Sequence, residues 1–240
     1  MPMVINMSAD KSSTDWPALF AMAAYELVTP SSLIGGYAAM LQSPRIETAG
    51  RFVQERVKRE FVRAAAHAAE QLRQVRFKMD ELVRFETGRS ILRQKAATSL
   101  EDLIRDVMAT PVWRLEPDVA IEILVSPGET AVMADAEALK RALSAVLWWV
   151  FRELGRKGRR TIHVRIADSL EPRSRNVVMA ETPELTQEAL LRSASLEPFD
   201  DYQDKTSLDL PLATRTIAAH GGQTWWLAGV IGARIALPLP

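Results

Sequence analysis

A long helical stripe between residues 51 and 85 places the strongest constraint on the fold of this chain. Apolar residues recur there at steps of three and four, which is the spacing of one face of an α-helix. At about 1.5 Å per residue the stripe predicts a rod roughly 50 Å long. Its members are Val53, Val57, Phe61, Ala64, Ala68, Leu72, Val75, Met79 and Leu82.

A shorter helix is predicted before it, from about Trp16 to Leu41. Asp15 can cap its first N–H groups, and Pro17 lies in the first turn, where its missing N–H costs little. Pro30 removes one backbone donor inside the helix and is expected to kink it. Residues 1–15 are expected to form a disordered N-terminus. The apolar face of this helix comprises Leu19, Ala23, Leu27, Ile34 and Ala38.

The unequal lengths of the two helices predict self-association. The shorter helix cannot cover the stripe of the longer one, so part of that stripe needs a partner outside the hairpin. Two hairpins packed together as a dimeric four-helix bundle would bury it. We therefore expect a homodimer through residues 16–86.

The second half of the chain has a different pattern, in which short alternating strands are interspersed with helices. Strands are predicted at 121–125, 161–167 and 176–179, helices at 100–107, 135–154 and 208–220, and a closing hairpin at 223–228 and 233–237. This order favours a two-layer α/β sandwich, so the whole chain is of the α+β class. We place a helical dimerisation domain at 16–110 and the sandwich at 111–240.

Charge and composition restrict the function classes. The 30 basic and 30 acidic residues cancel, so overall charge favours neither nucleic acid nor membrane surfaces. The segment from Arg51 to Lys95 is locally basic, with 12 basic and 6 acidic residues, which is compatible with a solvated helix face or with docking of an acidic partner or nucleic acid. With no cysteine and three scattered histidines, a metal site has little support.

The apolar runs are short. The longest, residues 142–151, is well below the ~20 residues of a membrane span, and the N-terminus lacks the pattern of a signal peptide. We expect a cytoplasmic protein without membrane insertion, and a core that carries no sensing module.

The segment from Tyr25 to Pro30, with Ile34, Gly36-Tyr37 and Leu41 after it, resembles the H-box of two-component sensor histidine kinases. The usual form is H-E-L-R-T-P-L-x-x-I-x-G-Y-x-x-x-L. Tyr25 stands at the position of the phosphorylated histidine, and Val28 stands at the arginine. The run Phe85-Glu86-Thr87-Gly88 is similar to the motif that closes the second helix in this family, and Gly88 fits a helix C-cap.

The resemblance extends to the GHKL-type ATP-binding domain and covers about residues 16–240. It implies an ATP site whose chemical positions are replaced here. The two asparagines of the N-box fall on Ala145 and Trp149, and tryptophan has no oxygen to offer Mg²⁺. The aspartate and glycines of the first glycine box fall on Ala180, Thr182 and Glu184. Asp209 and Pro211 replace residues of the second glycine box, whose backbone N–H groups would close on phosphates.

These replacements predict a catalytically inactive, histidine-kinase-like protein that needs no cofactor and acts through protein–protein interaction. The resemblance implies a response-regulator receiver domain or a partner histidine kinase as the partner, docked at Tyr25, Glu26, Val28 and Thr29. One alternative is a divergent kinase, phosphotransferase or phosphatase. Another is a nucleic-acid binder using the basic second helix. Phosphotransfer through Tyr25 is disfavoured because a phenol titrates near ~10 and needs a base.

Two tryptophan pairs remain, Trp148-Trp149 and Trp225-Trp226. In each pair one ring is expected to face the core, and the other to face outward or into the emptied pocket. The residues could simply fill the core, or Trp149 could line a pocket for a partner or small molecule.

Overall fold

A computed structural model describes residues 14–89, 92, 95–110, 120–125, 131–158, 161–168, 174–191, 196–200, 202, 204–227 and 230–239. All structural statements below concern these residues. Of residues 1–15, which are expected to be disordered, residues 1–13 lie outside this set.

The first part of the chain is a helical hairpin. Helix α1 spans Trp16–Leu41, a single-turn helix α2 spans Pro44–Glu47, and α3 spans Arg51–Glu86. The predicted cap is confirmed, since Asp15 Oδ1 accepts a hydrogen bond from Ala18 N at 3.0 Å. Gly88 follows the C-terminal end of α3, and its φ of +66° is the left-handed conformation expected of a glycine that closes a helix.

The second part is built around a six-stranded mixed sheet of order β2-β4-β5-β8-β7-β6. Strand β2 pairs parallel with β4, and the remaining neighbours are antiparallel. A small sheet pairs β1 with β3. In chain order the elements are β1 Ala96–Ser99, α4 Leu100–Met108, β2 Ala120–Val125, β3 Ala131–Ala134, α5 Ala136–Arg156, β4 Thr161–Asp168, β5 Ser174–Ala180, α6 Pro183–Leu191, β6 Leu196–Pro198, α7 Asp209–Ala219, β7 Gln223–Leu227 and β8 Gly232–Pro238.

One face of the large sheet carries the main core. Alternate residues of β4, β5 and β8 meet the apolar stripes of α4, α5 and α7 there, because side chains alternate along a strand and recur every three or four residues along a helix. Helix and sheet layers together form the predicted two-layer sandwich. Fully buried members include Ile104, Leu139, Leu143, Leu147, Leu154, Ile162, Val164, Val177, Ile217 and Ile235.

The opposite face of the sheet is covered in part by α6, a helix that the sequence pattern did not predict. Arg165 Nε donates to Thr186 Oγ1 at 3.2 Å, and Arg234 Nη1 donates to Ala189 O at 3.4 Å. Arg234 Nε also donates to Asn176 Oδ1 at 3.1 Å. Polar strand residues therefore bind α6 to this second face.

The packing of β1 and α4 bears on the domain boundary. Strand β1 pairs with β3, and Leu100, Leu103 and Ile104 of α4 lie in the core of the sandwich. Both elements precede the predicted boundary at residue 110. We therefore propose a boundary near residue 90 in its place.

Helix α1 is long and apolar enough to cross a membrane, by length and composition alone. About a fifth of its most apolar window is buried within the fold, 22% of those residues. Helices that pack inside soluble proteins meet the same criterion, so this is weak evidence for a span. The cytoplasmic location remains a prediction.

Candidate functional site

The H-box-like segment lies midway along α1 and divides between two faces of the helix. The side chains of Tyr25 and Val28 are 58% and 57% exposed, and Thr29 is also exposed. Glu26 faces the sandwich, and its side chain is only 14% exposed. The structure thus places three of the four predicted partner-binding residues at the surface and the fourth in a contact between the two domains.

Glu26 binds the segment that begins α7. Its Oε1 accepts hydrogen bonds from Leu208 N at 2.7 Å and from Ser207 Oγ at 3.1 Å. Its Oε2 lies 3.1 Å from Lys78 Nζ, and the same ammonium lies 2.8 Å from Asp209 Oδ1. We call these five residues the latch, because they join both helices of the hairpin to the sandwich.

The latch is electrostatically matched. Burial on its own would lower the pKa of the Lys78 ammonium, but the carboxylates of Asp209 and Glu26 outweigh burial and raise that pKa above its ordinary value. Lys78 is therefore charged at neutral pH. A carboxylate at the start of a helix is further favoured by the unsatisfied N–H groups and the helix dipole.

A second polar contact joins the domains near the end of α3. Arg215 Nε lies 2.9 Å from Glu86 Oε1, and Arg215 Nη2 donates to the hydroxyl of Tyr202 at 3.0 Å. The same hydroxyl accepts from Asp15 N at 3.2 Å. Burial acts to raise the pKa of Glu86, but hydrogen bonds from Thr14 and Arg215 lower it overall.

Apolar packing accompanies these polar contacts. One cluster combines side chains of α1, α3 and the segment before α7, and it buries Leu19, Met22, Ala23, Val75, Leu82 and Leu208. The two domains are thus held together by burial as well as by charge.

The six residues predicted to form a degenerate nucleotide pocket do not come together. Ala145, Trp149 and Asp209 line a groove of about 870 Å³ between the domains. Ala180 is fully buried in a separate cluster with residues of α6. Thr182 accepts from Leu185 N at 3.3 Å and so caps α6, and the exposed Glu184 belongs to that helix.

An aromatic stack surrounds Trp149. Its ring centroid lies 3.9 Å from that of Trp226, and the ring of Phe199 stacks on Trp226 at 3.7 Å with an interplanar angle of 24°. Trp149 and Trp226 are buried, whereas Trp148 and Trp225 are half-buried. The prediction that one ring of each tryptophan pair faces the core is confirmed.

These residues do not fit Mg²⁺ and a nucleotide phosphate chain. Mg²⁺ takes oxygen ligands, whereas Trp149 presents an indole. In the second glycine box a phosphate would use backbone N–H donors, but the Leu208 N–H is donated to Glu26 and the Asp209 carboxylate adds negative charge beside it.

Sequence reasoning missed the residues that join the domains on the sandwich side and on α3. Lys78 lay in the helical stripe region without a motif, and Tyr202 and Arg215 lay outside every recognised box. The one available signal was the position of Lys78 beside Met79 on the stripe face of α3, where a lysine needs a partner to be buried. Its partner could not be read from the sequence.

Comparison with known proteins was informative only at the level of structure. No family model matches the sequence, and no curated protein matches it. The histidine kinase AdeS of Acinetobacter baumannii is similar with a TM-score of 0.55 and 13% identity, over 90% of this chain and 96% of that chain.

Two further kinase structures are similar at 17% identity. Histidine kinase ThkA, in complex with the response regulator protein TrrA, has a TM-score of 0.55 over 92% of this chain and 60% of that chain. Full-length ShkA, in complex with AMPPNP, has a TM-score of 0.51 over 93% of this chain and 43% of that chain. At these identities the likeness concerns the fold, and the chain has the fold of a histidine-kinase core, a helical hairpin followed by a sandwich of the ATP-binding type.

Proposed function

We propose that this chain is a catalytically inactive member of the histidine-kinase fold that acts in two-component signalling by binding other proteins. The observation that carries the proposal is the aromatic stack of Trp149, Trp226 and Phe199. Trp149 stands where the resemblance places a magnesium-binding asparagine. Opening this stack would expose two buried tryptophans to water, at a cost of several kcal/mol.

The latch supports the same proposal from the other side of the site. Glu26 follows the phosphoacceptor position and Leu208 belongs to the second glycine box, according to the resemblance. Their hydrogen bond of 2.7 Å means that the chain's own carboxylate takes a donor that a phosphate would use. A nucleotide would have to displace Glu26 and approach the carboxylate of Asp209.

The proposed partner is a receiver domain of a response regulator or a partner histidine kinase. The exposed surface of Tyr25, Val28 and Thr29 offers an aromatic ring, an apolar side chain and a hydroxyl without charge. The similarity to ThkA, which was solved in complex with a response regulator protein, makes a receiver the first partner to test. Glu26 would take part only if the latch opened.

We propose that the protein forms a homodimer through its hairpin. Phe20 and Leu27 are exposed on α1 at a spacing of seven, and Val62, Leu72 and Val83 are exposed along α3. One member of each set, Leu27 on α1 and Leu72 on α3, belongs to the apolar face predicted for its helix, yet the packing of the two helices leaves it exposed. Exposed apolar surface of this kind is a common mark of an interface.

Calorimetric titration of the full chain with ATP and with ADP, in the presence of Mg²⁺, tests the proposal. We expect no binding heat and no change in melting temperature up to about 1 mM nucleotide. A histidine-kinase core with intact nucleotide motifs serves as the positive control. Micromolar binding by this chain would overturn the proposal and favour a divergent kinase or phosphatase.

A further inference from the structure

The groove between the domains has the dimensions and lining of a ligand site. Its volume of about 870 Å³ lies within the range of small-molecule pockets, which often form at domain interfaces. One wall is α3 and the other is α5, while the start of α7 forms the floor. We infer that this groove binds a planar aromatic anion, held by both domains at once. The inference goes beyond the proposed function, which concerns protein partners.

The walls provide aromatic surface and a slot. Phe77 on α3 is 44% exposed, and Trp148 on the opposite wall is half-buried. Among the α5 residues that line the groove, Ala138, Ala142 and Ala145 follow one another at steps of four and three on one face, and we call the space beside these small side chains the slot. A flat ring can enter between such walls and make offset or edge contacts with both aromatic groups, which adds to the gain from burying its surface.

Arg141 supplies the charge. Its guanidinium reaches across the groove to a point 5.8 Å from the Phe77 ring centroid. Four other cations line the groove, and each has a carboxylate partner at 3.3 Å or less: Lys78 with Glu26 and Asp209, Arg84 with Glu81, Lys140 with Asp106, and Arg152 with Asp204.

Among the described residues, Arg141 has no carboxylate within ion-pair distance, and Glu137 one turn away forms no ion pair with it. A guanidinium without a carboxylate partner presents paired N–H donors that match a carboxylate. An anionic group on the ligand would meet Arg141 while the attached ring occupies the slot beside Ala145. This arrangement favours an aromatic carboxylate over a neutral compound of the same shape.

Ligand binding and the latch are coupled by their positions. Lys78, Ser207 and Asp209 belong to the latch and also line the groove, whereas Glu26 belongs to the latch without lining the groove. The two walls keep their separation only while the domains are docked. A ligand that touches both walls therefore favours the closed latch, and a closed latch favours the ligand by the same factor.

The test uses the full chain and two probes of one shape, 1-naphthoate and the neutral 1-naphthalenemethanol, titrated by calorimetry. We expect naphthoate to bind at least tenfold more tightly than the alcohol. Arg141→Gln should remove that difference, and Ala145→Trp should fill the slot and weaken both probes. Arg63→Gln, which changes an exposed arginine remote from the groove, should leave both affinities unchanged. Urea unfolding verifies that each variant is folded.

Glu26→Gln tests the coupling, since Glu26 does not line the groove. We expect naphthoate binding to weaken at least threefold in this variant. The inference would be overturned if the two probes bound with equal affinity. It would also be overturned if neither Arg141→Gln nor Ala145→Trp changed the affinities. Titration of ATP against bound naphthoate separates the two proposals. If ATP displaces naphthoate, the proposed loss of nucleotide binding is contradicted, but the groove remains a ligand site. If naphthoate binds and ATP does not displace it, both proposals are supported.

Discussion

The helical hairpin and the sandwich differ in what they leave exposed. On the hairpin, large apolar side chains such as Phe20, Val28 and Val62 face solvent. In the sandwich even polar side chains are buried, and Asn176 and Arg234 are paired beneath α6. A sheet with helices on both faces buries its own apolar groups, whereas a two-helix hairpin has too little area to do so. The sandwich therefore buries most of its apolar side chains, and the hairpin leaves apolar surface that the proposed partner would cover.

The largest expected effect concerns the aromatic stack of the sandwich. Trp226→Ala removes a buried ring that contacts both Trp149 and Phe199, so the free energy of unfolding should fall by about 3–5 kcal/mol. Phe52→Ala is the matched hairpin change. Because that ring is 74% exposed, the loss should stay within about 0.5 kcal/mol. Urea denaturation, followed by fluorescence and circular dichroism, measures both.

Similar losses in the free energy of unfolding for Trp226→Ala and Phe52→Ala would contradict the contrast between the sandwich and the hairpin. A small effect of Trp226→Ala would mean that the stack adds little to the core. A large effect of Phe52→Ala would mean that the tip of the hairpin is covered, for example by a second copy of the chain.

The next effect concerns the latch, where the two regions meet. Glu26→Gln keeps the shape of the side chain but removes the charge that pairs with Lys78, and should lower the free energy of unfolding by about 2 kcal/mol. Glu70→Gln alters an exposed pair with Arg73 on the same hairpin, and should cost at most about 0.5 kcal/mol. Hydrogen exchange at the Leu208 amide reports the latch directly, because that N–H is donated to Glu26.

Faster exchange at Leu208 in Glu26→Gln, with no change in Glu70→Gln, is the expected pattern. Unaltered protection of that amide would show that the apolar cluster around Leu19 and Leu208 holds the domains without the carboxylate.

Local sequence signals predicted most of the long helices and strands of the fold. Helix α1 has its predicted bounds and starts where its capping aspartate and Pro17 indicated, and α5 and α7 lie within two residues of their predicted bounds. Such signals act over a few residues, so they can be read without knowledge of tertiary contacts. Helix α6 was missed because the run from Pro183 was compared with a glycine-rich box, although Thr182 and Pro183 form an ordinary helix start.

The candidate site was less accessible to sequence reasoning, because its contacts join distant segments. Glu26 is separated from Lys78 by 52 positions and from Leu208 by 182. The complete burial of Ala180 beneath α6 and the partial burial of Ala145 beside the groove likewise follow from packing. The resemblance placed both residues in one pocket because it assigned them by motif position alone, without information on how this chain packs around each of them.

A third prediction sharpens the claim that the hairpin needs a partner. Leu27→Asp places a charge on the exposed stripe with Phe20, so it should weaken dimerisation at least tenfold, about 1.4 kcal/mol. Val28→Asp introduces the same charge one position on, about 100° around the helix, and should leave the dimer intact. Sedimentation equilibrium at several concentrations distinguishes the two. If the parent protein were monomeric, or if both variants had equal effects, the assignment of Phe20 and Leu27 to the dimer interface would be wrong.

The smallest expected effect is a pH dependence located in the sandwich. The buried His220 ring accepts from Asp135 N through Nε2 at 3.0 Å, and its Nδ1 lies 2.8 Å from Thr216 O. Burial is the main cause that lowers the pKa of His220, so the folded protein favours the neutral ring. This arrangement requires Nδ1–H to donate to Thr216 O while Nε2 accepts, and a second proton would destroy the acceptor.

Because the folded-state pKa is below the unfolded value of about 6.5, stability is complete above that pH and declines as the pH falls below it. Asp204, whose pKa is also lowered, does not act in this window, since carboxylate contributions are lost near pH 4 and below. The free energy of unfolding should therefore be lower at pH 5.5 than at pH 7.5. His220→Gln should reduce that difference, while His67→Gln, on the exposed face of α3, should preserve it. If His67→Gln reduced the difference instead, the pH-sensitive group would belong to the hairpin, and the sandwich would be insensitive to pH in this range.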